Sequence, residues 1–365
     1  MSNLQGKAKA DFLYDMLTKQ SRKNHSKSPP VKTLLRDLPT DILDLLKEHF
    51  QSLLKYELRD WIKKNSHKLI FANLSSNSKA MDYLTLPDNI EKIDYFQLSS
   101  NTTPNTLLLI VNRIKYEKLL QKKSTAEYNR LKNKINWGIL SANPIAVNLL
   151  ETYENDIVWS AFCSNPNPEA LRLIEKELEK DADTDKIVWE VLSANPIVIQ
   201  LFEKYPHYKK YIDYSGLSAN SSNEAIKLLN ENPDEIDFGM LSGNTNPKAL
   251  KLLKEKLEDD PDEIDWVKLA GNTAPEAMNI LKKNLDKLNL YGSDGSDWEV
   301  IPALSSNSSD KAIDLLKELL KKGMNIDWTA LSGNANLKAL ELLKKNQEKI
   351  YWENFSENPS IFILK

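Results

Sequence analysis

The sequence predicts an all-α chain, an α-solenoid of about eleven short helix-turn-helix repeats with a helical N-terminal cap. Three observations predict it. One pattern recurs along most of the 365 residues: Ile-x-aromatic-x-x-Leu-Ser-small-Asn, then zero or two residues, then Ala-apolar-x-Leu-Leu. Its aromatics, from Phe71 through Tyr95, Trp137, Trp159 and Trp189 to Trp328 and Trp352, are mostly 22 to 32 residues apart. The apolar positions inside each copy follow helical spacing: Trp137 and Leu140 are one turn apart, and Ala146, Leu149 and Leu150 form a one-sided stripe.

The first thirty residues form a basic arm, with Arg22, Lys23 and Lys27 in the Ser/Pro-rich stretch SRKNHSKSPP, a composition that cannot build a core. Residues 31–68 carry amphipathic helical patterning and read as the N-terminal cap. Residues 69–365 are the array. Its clearest copies begin at Ile135 (INWGILSANPIAVNLL), Ile187, Ile236 and Ile326; two copies are degraded, around Phe71 and around Trp298. A basic insert at 111–134, VNRIKYEKLLQKKSTAEYNRLKNK, separates Tyr95 from Trp137. It reads as an exposed amphipathic helix.

Within a copy the first helix is short, with acidic residues such as Asp262 and Glu263 before it, where a helix N-terminus favours negative charge. The second helix opens at Pro or a capping residue, as at Asn246-Pro247 and Ser309-Asp310. The tryptophans Trp137, Trp159, Trp189, Trp266, Trp328 and Trp352 are expected in the repeat core. The asparagines Asn143, Asn195, Asn220, Asn244, Asn272 and Asn334 are expected at structural turns. In the longer copies a second cap follows the first asparagine, so that first residue must satisfy backbone groups between adjacent units, with Ser helping. Small neighbours such as Ala142, Gly243 and Gly333 suggest close backbone approach there. A horseshoe with one strand per unit is the rival reading, but the alternation covers only two apolar positions before it breaks. A lone unit is too small to bury its own apolar face, so neighbours must stack. The apolar ending Ile361-Phe362-Ile363-Leu364 would be sticky unless covered, a small pointer to assembly.

Net charge is modest, 49 basic against 52 acidic residues, but uneven. Residues 1–34 carry seven Lys/Arg against two Asp, and 111–134 carry eight against two Glu, whereas Glu255 to Glu263 is acidic. Such asymmetry concerns partners rather than fold. Lys115, Lys122, Lys123 and Arg130, with the three arm residues, are the interaction candidates.

The chemistry of an enzyme is hard to assemble from these residues. The histidines His25, His49, His67 and His207 are scattered and polar-flanked. Cys163 stands where other copies carry Ser141 and Ser193, so it reads as a small buried residue in a reducing compartment rather than a nucleophile. No Gly-rich phosphate loop exists among ten glycines. The segment from Tyr291 to Asp297 lacks the ligand series of a calcium loop. No apolar stretch is long enough for a membrane span, and the N-terminus lacks the apolar middle of a secretory signal. No catalytic residue, metal or cofactor is expected, nor a small-molecule substrate.

The unit Ile-Asp-Trp-x-x-Leu-Ser-x-Asn-Pro-x-Ala-Ile-x-Leu-Leu resembles a repeat of proteins from large nucleocytoplasmic double-stranded DNA viruses, the giant viruses, and covers about residues 69–365. The resemblance implies a structural interaction protein, a minor capsid or other virion-associated component binding capsid proteins in the capsid shell. If the protein is not viral, the cytoplasm is expected. Nucleic acid is not the expected partner. The alternative is an intracellular adaptor for host proteins: Leu38-Pro39-Thr40-Asp41-Ile42-Leu43-Asp44-Leu45-Leu46 resembles the opening of an F-box.

Overall fold

Short helices follow one another in the order the apolar stripes require. The computed structural model describes residues 55–180, 185–288 and 299–365. The arm residues Arg22, Lys23 and Lys27, the F-box-like stretch, most of the cap and Trp298 lie outside the described residues. Helix dominates the rest, and the described Ile-x-aromatic segments contain no strand.

The first helix of a copy has four to seven residues, as in Trp137–Ala142, Phe238–Leu241 and Val300–Ser306. Its N-cap is the residue between Ile and the aromatic. The side chains of Asp94, Asn136, Asp213, Asp237, Asp265 and Asp327 each accept the backbone N–H three residues on. That side-chain oxygen satisfies an orphan donor, and in the five aspartates its charge also faces the positive helix end. Asp262 and Glu263, by contrast, sit in a separate 3-10 turn, Pro261–Glu263. Most second helices are longer, among them Ala170–Lys180, Pro247–Asp259, Asp310–Lys321 and Leu337–Lys345. They open at the caps Asn246, Ser309 and Asn336.

The core consists of two rows. Leu140, Leu192, Leu217, Leu241 and Leu331 of the first helices, and Ala146, Ala225, Ala249 and Ala339 of the second, are all fully buried. The tryptophans correct the sequence expectation. All six are half-buried at the margin of the packed interface. A helix of one turn presents only one residue to the centre, and the leucine three positions on takes that place. The indole is left to cover the edge. A basic side chain lies over several of these rings: Lys118 over Trp137, Lys186 over Trp159 and Lys68 over Trp352, with Nζ 5.3–5.7 Å from the ring centre.

Two further expectations change. Within the described part of the cap, Tyr56–Leu58 is a strand, not a helix, and it pairs with Phe362–Leu364. The Arg59 N–H donates to Ile361 and the Lys365 N–H to Lys55, so the pairing is antiparallel. Ile361 and Phe362 are therefore buried by the chain itself, Ile363 is half-buried, and only Leu364 of the apolar ending is exposed. The chain divides into two compact units, and residues Glu57–Ile363 form one of them; the other contains the described residues Lys55–Tyr56 and Leu364–Lys365.

Candidate functional site

A very short helix leaves most of its carbonyls without an intrahelical partner, and where it is buried those carbonyls need donors. The planar asparagine side chain supplies them: two N–H donors and one acceptor held in a plane. The Asn143 amide donates to the carbonyls of Ser99 and Asn101, at 2.9 and 3.0 Å, while its oxygen accepts the Ile145 N–H. Asn195 reaches Cys163 and Asn165, Asn244 reaches Ser218 and Asn220, Asn272 reaches Ser242 and Asn244, and Asn334 reaches Ser305 and Asn307. Asn220 donates to Ser193. Asn77, Asn101, Asn165, Asn307 and Asn358 do the same work.

Serine makes the second rung. The Ser141 hydroxyl donates to the Trp137 carbonyl one turn back and accepts the Val158 N–H from the following copy. Ser193, Ser218, Ser242 and Ser332 accept in the same way from Asp213, Asp237, Asp265 and Tyr351. Cys163 occupies this position. Burial raises its thiol pKa, although a backbone hydrogen bond involving Val188 partly opposes that. A thiol held neutral and fully buried is inert.

The ladder has no open end. Asn358 donates to Ser332 and Asn334, and Asn77 donates to Ser356 and Asn358 at 2.9 and 3.0 Å. Ser356 accepts the Ile70 N–H. Eleven asparagines thus bond in a circuit in which the last is linked to the first. Sequence reasoning placed these residues at inter-unit turns but missed the closure. The one available signal was the pairing potential of YEL with FIL, too short to stand out.

Small residues beside the ladder have a different basis from the one expected. A Cβ built on Gly243 or Gly333 would meet nothing closer than 3.7 Å, and on Gly271 nothing within 4 Å. Close approach occurs instead at Gly216, where an added Cβ would collide with the Glu190 carbonyl oxygen.

The basic insert is the end of one helix and a short second one, Thr125–Arg130, capped by Ser124. Helix Thr106–Lys123 is the second helix of its copy carried on for extra turns. Its own Ile110, Ile114 and Glu117 are buried on the inner face. Glu117 accepts from Arg113 and from the Ile135 N–H, at 2.9 and 3.0 Å, and Lys118 pairs with Asp156. Lys115, Lys122, Lys123 and Arg130 are all exposed. Between them stand Tyr116 and Leu119, 49% and 67% exposed, apolar surface left in water.

One small cleft, of about 60 Å³, lies between Glu154, Trp159, Lys176, Glu177 and Lys186. Glu177 is buried there. Its pKa is pushed up by burial but held below the usual value by hydrogen bonds from Lys186 and Lys180. That space is far below the several hundred Å³ of a metabolite site. His67 and His207 are exposed, and no group of three metal-ligating side chains occurs among the described residues. No helix among the described residues is long and apolar enough to cross a membrane. No protein-family model, curated protein or solved structure matches the chain.

Proposed function

We propose that this chain is a non-catalytic structural scaffold, an α-solenoid of eleven units closed on itself, that binds other proteins through the outer side chains of its second helices. In the context of the repeat's resemblance to giant-virus proteins, it serves as a virion component, a minor capsid protein linking capsid proteins in the shell. The observation that supports this reading is the asparagine–serine ladder. It spends the polar chemistry of the repeat on holding copies together, so the frame stands without ligand and the exterior is left free to vary. The basic groups of helix Thr106–Lys123 would face acidic neighbours in the shell. Mass spectrometry of purified particles should find peptides of this chain in stoichiometric amounts. Intact particles without them refute the capsid assignment. The adaptor reading rests on Leu38–Leu46 alone; capture of a ubiquitin-ligase adaptor by the full chain, lost on substitution of Leu38 and Pro39, would replace the capsid reading with it.

A further inference from the structure

The caps of consecutive second helices are bonded to one another. Asn246 donates to the Ser221 carbonyl, Asn336 to Ser308, Asn167 to Pro144, and the Thr103 hydroxyl to Ser78. At these four joints the bonds hold the helix starts level. The helices also run in the same sense, as the pairs Arg172–Glu151 and Lys176–Glu154 show. With level starts, length alone decides which helix ends project. Thr106–Lys123 has 18 residues and Pro247–Asp259 has 13, the longest second helices among the described residues. At 1.5 Å per residue they measure about 27 and 20 Å, against roughly 14 Å for the nine-residue helices. Both therefore project past the second helices of the adjacent copies on the same rim, the basic one farthest; Asp310–Lys321, with 12 residues, reaches almost as far as the acidic one.

The two overhangs are opposite in charge. On the first helix, Lys122 and Lys123 at the projecting end and Lys115 two turns before it are exposed and paired with no carboxylate among the described residues, while Arg113 and Lys118 are committed to Glu117 and Asp156. On the second, Glu258 and Asp259 at the helix end and Asp262 in the 3-10 turn that follows are exposed and unpaired in the same sense, while Lys256 holds Asp260 and Glu263. Along the ladder, Asn101 before the basic helix and Asn244 before the acidic one are five steps apart one way and six the other. They stand nearly across the circuit.

We propose that two copies of this chain pair rim to rim about a two-fold axis, the basic overhang of each copy on the acidic overhang of the other. One two-fold satisfies both contacts at once, because the contact from basic to acidic is returned by the partner. The two contacts fall on opposite sides of the rim, so neither can rock open alone. Tyr116 and Leu119 lie among the lysines and supply the apolar area that ion pairs in water do not. The occupant is a second copy because the complement, carboxylates facing ammonium groups, is on this same chain, with Lys122, Lys123, Glu258 and Asp259 at helix ends on the same rim. Pairing in solution does not depend on a capsid role, so this inference and the proposed function fail separately.

The test is sedimentation velocity of the full chain at about 20 µM, in 50 mM and in 500 mM NaCl. The wild type should dimerise in low salt and dissociate in high salt. The triple variant Lys115→Glu, Lys122→Glu, Lys123→Glu should be monomeric, and so should Glu258→Lys, Asp259→Lys, Asp262→Lys, each weakened roughly a hundredfold for six modest ion pairs. An equimolar mixture of the two variants should dimerise again, since both contacts become complementary. That restoration also shows that both variants are folded. Leu119→Gln should weaken the wild-type dimer about tenfold. A monomeric wild type in low salt overturns the proposal, as does a triple variant that pairs like the wild type or a mixture that stays monomeric.

Discussion

Replacing Asn244 with alanine removes one rung of the ladder. The side chain is 1% exposed, donates to Ser218 and Asn220 at 2.8 and 3.0 Å, and accepts the Asn246 N–H at 2.9 Å. Each lost bond costs about 1–1.5 kcal/mol net, because its partner stays buried without water, so the substitution should cost roughly 3–5 kcal/mol. With a urea dependence of about 3 kcal/mol/M, the unfolding midpoint should fall by roughly 1–1.5 M. Asn244→Asp should be worse than alanine, since it turns two donors toward carbonyls into acceptors. Asn346 is the control: its amide donates only to the Leu342 carbonyl of its own helix, and Asn346→Ala should cost under about 1 kcal/mol. Asn77→Ala tests the closure, because Asn77 bonds to Ser356 and Asn358, some 280 residues away. It should cost as much as Asn244→Ala. A midpoint for Asn77→Ala matching the Asn346 control would refute the closed circuit, and an unchanged midpoint for Asn244→Ala would refute the ladder itself.

Gly216→Ala should destabilise by about 2 kcal/mol or more, because its methyl group meets the Glu190 backbone, whereas Gly271→Ala should be neutral or stabilising by up to about 1 kcal/mol; reversed signs in thermal melts would contradict the packing. Cys163→Ser installs the group that other copies use at this rung, so melting temperature should change little, and in the wild type a thiol reagent should label this fully buried cysteine only as fast as the chain unfolds. Phe362→Ala empties a site with 1% exposure at the strand seam and should cost about 3–5 kcal/mol in urea titrations; an effect under 1 kcal/mol would mean the strands are not paired. The pKa of Glu177 is lowered on folding, so its contribution to stability is present above the usual carboxylate range and is lost as pH falls through the depressed folded value. Lys186→Met should therefore flatten the fall in melting temperature between pH 5 and pH 3, and an unaltered slope would remove that pair from the account.

Element type and order were legible because periodicity reports burial directly: the Leu and Ala rows sit where the stripe puts them. The position of Asn143 and its equivalents was legible too, since the two-residue length change separates capping from bridging. The tryptophans were misjudged because a large apolar residue in a periodic pattern reads as core, while burial depends on which residue of a one-turn helix faces the centre. Glycine at 243 and 333 misled for a similar reason, since a small side chain can reflect a sharp turn without a neighbour pressing on it. The closure was invisible because no local pattern encodes curvature. It emerges only when the angle between copies, set by side-chain volumes at every interface, sums to a full turn. The overhanging helix ends were half legible: their charge stands in the sequence, their common rim does not.

A stack with two ends frays, since its outer copies each lack one neighbour and open first. Here the copy holding Asn77 and the copy holding Asn358 each serve as the other's missing neighbour. Slow amide exchange should accordingly be spread evenly around the chain instead of peaking in the middle. The same feature limits how such a protein can lengthen. Duplicating one copy would force every remaining joint to open slightly, so a viable insertion must arrive with compensating changes in side-chain size elsewhere.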